Sequence, residues 1–260
     1  RNASQTPSPR TSTDTPLDSL GAALRAYVPA QLASGTVRLD ATLDWQAGTP
    51  WQLRGQLVGT QLVWQEPPVR LGADVTLDGQ LIAPHSPGSA PLLDVAITAR
   101  RGTLEGVPKL PTVTEVEGLA RLTPQQLEIK WLRGRAFDAL WRLEGVIEPL
   151  EAPAIELLIK SDLELANVRE AIGLGEDWQL SGAGRLEAVC RGPLRPRALL
   201  DCLTRGEVRD ASIVSAAAAP LTDATGRFDY DLLARRIDLH ELTVRLGGQP
   251  LAVHGSFAHT

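Results

Sequence analysis

The chain has 260 residues, and its 43% apolar and 22% charged content is that of a folded protein rather than a wholly disordered one. Its formal net charge of −5 argues against a nucleic-acid platform, which normally carries a basic face. No apolar run reaches the roughly 18 residues that a membrane-spanning helix needs. The sequence contains no Met, so we interpret it as an interior or processed piece of a longer polypeptide, in which a membrane anchor could precede it.

The first part of the chain divides into a polar stretch and an apolar-periodic one. Residues 1–16 are rich in Pro, Ser and Thr and cannot bury enough apolar surface to order themselves, so they are predicted to be a flexible linker or tail. Apolar residues then recur at helical spacing from Leu17 to Val28, before Pro29. A short capping helix and its connector are therefore predicted over residues 17–34.

From Gly35 onward the apolar period changes from that of a helix to that of a strand. Residues 37–45 and 69–81 alternate strictly between apolar and polar, which predicts long strands with one dry and one wet face. Such one-sided strands are typical of antiparallel sheets. Strands are predicted over residues 37–45, 51–57, 69–81, 93–99, 127–133, 140–147, 155–165, 184–191, 226–230, 237–246 and 251–257.

These strands form two β-repeat segments, residues 35–165 and 179–260, joined by a helical connector over residues 166–178. The run 69–81 would extend about 40 Å, beyond the usual length of a strand. The predicted fold class is therefore all-β: a long, mostly antiparallel, strongly curved sheet, shaped as a taco-like open groove or half-barrel built from strand repeats, with one or two short helices.

The strand pattern repeats along the chain. Residues 113–118 (Val-Thr-Glu-Val-Glu-Gly) match residues 221–226 (Leu-Thr-Asp-Ala-Thr-Gly), and each copy continues into strands that close on a glycine, Gly145 and Gly255. A recurring strand module is typical of solenoid-like β architectures.

The second copy is the more specific one. Residues 219–228 (Ala-Pro-Leu-Thr-Asp-Ala-Thr-Gly-Arg-Phe) are followed by Ile-Asp-Leu at 237–239 and by Leu-Gly-Gly-Gln-Pro-Leu-Ala-Val-His-Gly at 246–255. This pattern resembles the repeat of the AsmA/TamB superfamily of bacterial envelope proteins. Gly-Arg-Leu at 184–186, with Arg-Gly-Pro-Leu-Arg-Pro at 191–196, is similar to a second signature of that superfamily. The resemblance covers about residues 35–260, although the prolines of residues 101–112 interrupt the module.

The resemblance implies a periplasmic protein of the bacterial cell envelope, anchored to the inner membrane by a segment outside this chain. It implies a β-groove that holds or conducts lipids between membranes and contributes to outer-membrane biogenesis. It transfers no catalytic residue, so no enzyme is expected, and it implies no cofactor other than a bound phospholipid or similar acyl-chain lipid. The expected partners are lipid, the membrane and other envelope or membrane-complex proteins, but not nucleic acid. The alternative is a structural or assembly scaffold of a bacterial membrane complex.

The candidates for the groove lining are the apolar residues at alternate positions of the predicted strands. An acyl chain needs no polar contact, because each buried methylene contributes about 0.8 kcal/mol. The same positions, tryptophans included, could instead form an ordinary packed core. The predicted lining residues are Leu39, Leu43, Leu53, Leu71, Val75, Leu77, Ile97, Ile129, Trp131, Ile159, Phe228 and Val253.

The cysteines and histidines carry little further chemistry. Cys190 and Cys202 leave two interpretations open: two small buried apolar residues, or a disulfide across neighbouring strands in an oxidising compartment. The four histidines lack the spacing of metal ligands, so no metal site is expected. At His240 the apolar positions change parity, which predicts a β-bulge.

Overall fold

The chain forms one sheet. The computed structural model describes residues 15–16, 32–45, 49–83, 91–107, 110–148, 153–169, 174–193 and 200–258. Over these residues the 14 strands follow one another in sequence order, and each strand pairs antiparallel with its neighbours in the chain. The first and last strands are free edges that do not meet, so the sheet is open. This confirms the predicted all-β, open-groove fold.

Apart from the two-residue β1, the strands are longer than in most globular proteins. They run β1 (Thr15–Pro16), β2 (Leu32–Asp44), β3 (Gln52–Glu66), β4 (Val69–Ile82), β5 (Leu92–Glu105), β6 (Val113–Leu122), β7 (Leu127–Ala136), β8 (Ala139–Glu148), β9 (Ala154–Glu164), β10 (Trp178–Pro193), β11 (Asp201–Ser215), β12 (Ala218–Asp231), β13 (Arg236–Leu246) and β14 (Gln249–Ala258). The helical content of the described residues is one 3-10 helix, Leu165–Val168, at the start of the predicted connector.

Two sequence boundaries need correction at the start of the sheet. Thr15 and Pro16, assigned to the linker, pair with Val37 and Thr36 as β1. Strand β2 begins at Leu32, inside the predicted connector 17–34. The predicted capping helix itself lies outside the described residues.

Strands β6 and β11 are absent from the sequence prediction. Each contains several charged residues and one residue with a positive φ, Glu115 at 54° in β6 and Asp210 at 49° in β11. An extra residue of this kind shifts the alternation of apolar and polar positions partway along the strand. Neither strand therefore has the uninterrupted period of two that identifies β2 and β4.

Bulges of this type recur across the sheet. Residues with φ near +50° also occur at Gln61, Arg101, Asp223 and Glu241, next to shifts in the pairing register. The shift between Leu239 and Leu242 confirms the bulge predicted at His240. Each bulge bends its strand and increases the local twist, so a set of bulges curves the whole sheet.

Directly paired residues in an antiparallel sheet point to the same side, so the register defines two faces. The apolar face carries Leu39, Leu57 and Leu77, which are successive partners. The polar face carries Asp40, Gln56 and Asp78, paired one residue further along.

Glycines show towards which side the sheet bends. A Cβ placed on Gly55 would lie 2.6 Å from the backbone oxygen of Asp40, closer than real side chains come. At Gly206 the added atom would collide with the ring of Phe228, its direct partner in β12. Both glycines belong to the apolar face, so neighbouring strands approach each other most closely there. We infer from these close approaches that the sheet curves towards its apolar face, which we call the concave face.

The strand ends form two rims. We call the rim that holds the ends of β2 and β3, with Trp45 and Trp51, the tryptophan rim, and the opposite one the bulged rim. Gln61, Arg101 and Glu115 lie in the half of the sheet towards the bulged rim. A small core lies towards the tryptophan rim, where Ile155, Cys190 and Cys202 are each under 9% exposed.

Candidate functional site

A continuous apolar surface lies on the concave face of β2 to β5. One row of paired side chains is Leu39, Leu57, Leu77 and Ile97. A second row, separated from it by the small residues Ala41, Gly55 and Gly79 and by Val95, is Leu43, Leu53, Leu81 and Leu93. The sequence predicts five of these eight residues as lining. Four adjacent strands thus present apolar side chains without a polar position between them.

The register places most of the other predicted lining residues on the same face. Val75 lies between Gly59 and Ala99, and Leu71 lies between Trp64 and Leu104. The remaining partners are Ala120 for Ile129, Leu143 and Ala188 for Ile159, Gly206 and Leu239 for Phe228, and Leu242 for Val253.

Much of this surface remains open to solvent. Leu39 is 58% exposed and Leu43 is 62% exposed, although both lie on the concave face. Removing apolar surface from water is favourable by about 25 cal/mol per Å². An accessible apolar face of this size is therefore suited to hold an apolar ligand.

Trp131 is the exception among the predicted lining residues. The register shifts between Ile129 and Leu132, so Trp131 pairs with Leu119 on the polar side of β6. The guanidinium of Arg133 lies 5.8 Å from the centre of the indole ring. The alternation of residues in the sequence predicts that Trp131 faces the groove. This prediction is wrong, because an extra residue in β7 places Trp131 on the polar face.

The bulge at Gln61 in β3 places two further residues on the concave face that the sequence analysis does not identify. Gln61 is the extra residue of β3, so Leu62 and Trp64 face the same side as Leu57 although their numbers differ in parity. Leu62 pairs with Ala73, and both residues lie on the concave face. The signal in the sequence is the change of apolar parity within residues 57–64.

The polar face is covered by cross-strand ion pairs. Arg121 donates two hydrogen bonds of 2.8 Å to Asp94 and lowers the pKa of that carboxyl group below its usual value. Arg191 and Glu156 form another pair, with Nη2 and Oε1 2.6 Å apart. Such exposed pairs contribute little stability individually, but they fix which residues lie opposite each other.

Asp74 joins two of the bulges. Its carboxylate accepts a hydrogen bond of 2.8 Å from the backbone N–H of Gln61 in β3 and pairs with Arg101 in β5. The hydrogen bond from the Gln61 N–H has the largest effect on the pKa of Asp74 and lowers it. Burial raises this pKa by less, and Arg101 lowers it further, so the pKa lies below its usual value. One side chain on β4 therefore holds the bulges of both neighbouring strands.

The described residues contain no group of three or more His, Cys, Asp or Glu side chains arranged to hold a metal ion. The buried hydroxyl of Ser161 donates to the carbonyl oxygen of Leu140 at 3.3 Å. A shallow depression on the polar face is lined by Asp40, Arg54 and Gln80, among others. The concave face itself offers an apolar surface and no set of converging polar groups.

Cys190 and Cys202 are direct partners of β10 and β11 and form a disulfide. Ile155 completes a buried cluster with them, and Ile147, Leu157 and Leu200 pack around it. This cluster lies on the concave face, so here the groove is filled by the protein's own side chains.

No described helix is long and apolar enough to span a membrane. Comparison of the chain with models of known protein families, with curated proteins and with solved structures finds no match.

Proposed function

We propose that this chain is a non-enzymatic β-groove segment that holds or conducts lipids in the bacterial envelope. The observation that carries the proposal is the concave apolar face of β2 to β5, where Leu39 and Leu43 remain more than half exposed. Contiguous apolar patches of this kind on soluble proteins mark binding surfaces.

The polarity of the two faces supports a lipid as the ligand. Rows of Leu and Ile offer burial without any polar group to satisfy, and each methylene of an acyl chain gains about 0.8 kcal/mol on leaving water. The ion-paired convex face keeps the sheet in water. The Cys190–Cys202 disulfide supports an oxidising compartment such as the periplasm.

Localisation and partners complete the proposal. The resemblance to the AsmA/TamB superfamily suggests attachment to the inner membrane through a segment outside this chain. Lipid, the membrane and other envelope proteins are the proposed partners.

Two neighbouring positions on β4 provide the test. Val75 lies on the concave face, and Thr76 lies on the polar face opposite Thr98. Val75→Asp places a charge where desolvation costs several kcal/mol, so we expect it to abolish lipid retention. Thr76→Asp adds the same charge on the wet side, and we expect retention at the parental level. Native mass spectrometry of the purified chain measures co-isolated phospholipid, and circular dichroism checks folding.

The scaffold role is the second candidate, and the buried Ile155–Cys190–Cys202 cluster favours it, because that part of the face is already filled. Unfolding of the Val75→Asp variant would point to a packed face and to the scaffold. Equal lipid retention by both variants and the parent would exclude the groove as the lipid site.

A further inference from the structure

Exposed apolar side chains are concentrated at one rim of the sheet. Six large apolar residues among those described are more than half exposed, and all of them lie in the half of the sheet towards the tryptophan rim. They are Leu39, Leu43, Trp45, Leu92, Leu233 and Phe257. At the bulged rim, no large apolar side chain in the described part of the chain is more than half exposed; the highest values there are 47% for Leu251 and 45% for Leu246.

The densest group lies where β2 to β5 end, and we call it the tryptophan corner: Leu43, Trp45, Trp51, Leu53, Ile82 and Leu92. Asp44 and Gln52 are the last pair between β2 and β3. Trp45 comes directly after Asp44, and Trp51 comes directly before Gln52. The carbonyl oxygen of Trp51 accepts a hydrogen bond of 3.0 Å from the N–H of Ala83, which fixes this corner to β4.

The tryptophan corner presents apolar side chains on both faces of the sheet. Leu43 and Leu53 are partners on the concave face. Ile82 and Leu92 are partners on the opposite face, in line with Asp44 and Gln52. Elsewhere on β4 and β5 that face carries Asp78, Gln80 and Asp94. A ligand lying in the groove touches only the concave face, so it leaves the exposure of Leu92, 54%, unexplained.

The interfacial layer of a lipid bilayer can surround the end of a thin sheet and offer apolar contacts to both of its faces. Indole rings prefer this layer, because their apolar body and N–H donor suit its mixed polarity. The described residues 43–45, 49–53, 81–83 and 91–93 contain a single charged side chain, Asp44, and no cation. The corner therefore fits insertion among lipids by apolar contact rather than attraction to anionic headgroups.

We propose that the tryptophan corner inserts into the interfacial layer of a lipid bilayer and docks the sheet there. The apolar rows of the concave face run into this corner through Leu43 and Leu53, so the docked corner opens the groove towards the membrane. The docking surface does not depend on which ligand the groove holds. Leu232 and Leu233, in the turn between β12 and β13, lie on the same rim.

Flotation of the 260-residue chain with vesicles of pure phosphatidylcholine tests this docking. We expect the parent chain to float with the vesicles, equally at low and high salt, because apolar contact is not screened. Trp45→Gln and Leu92→Gln should each lower the bound fraction by about tenfold, since affinity follows the apolar area inserted. Trp131→Gln, which changes an indole that is 42% exposed on the polar face away from the rim, should float like the parent.

The Leu92→Gln variant separates docking from groove binding, because Leu92 lies outside the groove. Failure of the parent to float, or flotation of Leu92→Gln at the parental level, would overturn the proposal. Val75→Asp should lose retained lipid and still float. If Val75→Asp abolished flotation while folded, vesicles would be bound through the groove, and the corner would not be the docking surface.

Discussion

The concave face is open at β2 and β3 and closed at β9 to β11. Leu39 and Leu43 are more than half exposed, whereas Ile155, Cys190 and Cys202 are under 9% exposed. All five side chains lie on the same face of the same sheet. The difference shows that alternation of apolar and polar residues fixes which way a side chain points, while neighbouring chains decide whether it is covered.

The closed region is buried because apolar side chains pack around the disulfide. Ile147 of β8, Leu157 of β9 and Leu200, the residue before β11, pack around the cluster. At the open end, the described residues give β2 one full neighbour, β3, and the two residues of β1 on its other side. The open region should therefore respond to ligand and the closed region to changes in stability.

The largest effect is expected from removing the disulfide in the closed region. Replacing Cys190 and Cys202 together by Ala frees the segment between β10 and β11 in the unfolded state, which costs about 3 kcal/mol for a loop of this length. Urea unfolding followed by circular dichroism measures the loss. Dithiothreitol should shift the parent's midpoint by a similar amount and leave the double variant unchanged. Equal midpoints for parent and variant would show that the disulfide does not hold this region together.

A matched pair of truncations compares the two regions directly. Ile155→Ala removes buried methylenes and should destabilise the protein by about 2 kcal/mol, at the lower end for core truncations because the sheet is a single layer. Leu39→Ala removes exposed methylenes and should cost well under about 1 kcal/mol. The same unfolding experiment serves both variants. A large loss at Leu39 would mean that the open region is a packed core after all.

A smaller effect than those of the disulfide and of Ile155 is expected at the bulges. Asp74→Asn weakens the acceptor for the Gln61 N–H and removes the pair with Arg101, whose side chain is 78% exposed, so the loss should be about 1 kcal/mol at neutral pH. Because folding lowers the pKa of Asp74, its stabilising effect is present above the usual aspartate pKa of about 3.9 and disappears as the pH falls below it. Unfolding free energies of parent and variant should therefore converge in acid. A difference that stayed constant from pH 7 to acid would exclude the carboxylate as its source.

The sequence predicts the fold well where the period of two is unbroken. Strands β2 and β4 alternate without interruption over most of their length, so their apolar face could be assigned residue by residue. Bulges limit the same reasoning, because one extra residue reverses every later position. Trp131 was assigned to the wrong face for this reason, and Leu62 and Trp64 were missed. His240 shows that a bulge is visible when long apolar runs lie on both sides of it.

Exposure could not be predicted from the pattern at all. Leu39 and Ile155 both lie at apolar positions of long alternating strands, yet the first is open and the second is buried. Burial depends on contacts between neighbouring strands and on the curvature that the bulges create, and neither is encoded in local periodicity. The tryptophan corner was hidden for the same reason, because Ile82 and Leu92 come together from two strands.

The order of the strands has a consequence for how such a sheet can change. Since every strand pairs with its neighbours in the chain, each hairpin is a nearly self-contained unit whose removal or duplication leaves the other pairings intact. Neighbouring strands are about 4.8 Å apart, so one added hairpin lengthens the trough by roughly 10 Å. Trough length is thus a modular property, adjustable in steps of two strands without redesign of the remaining sheet.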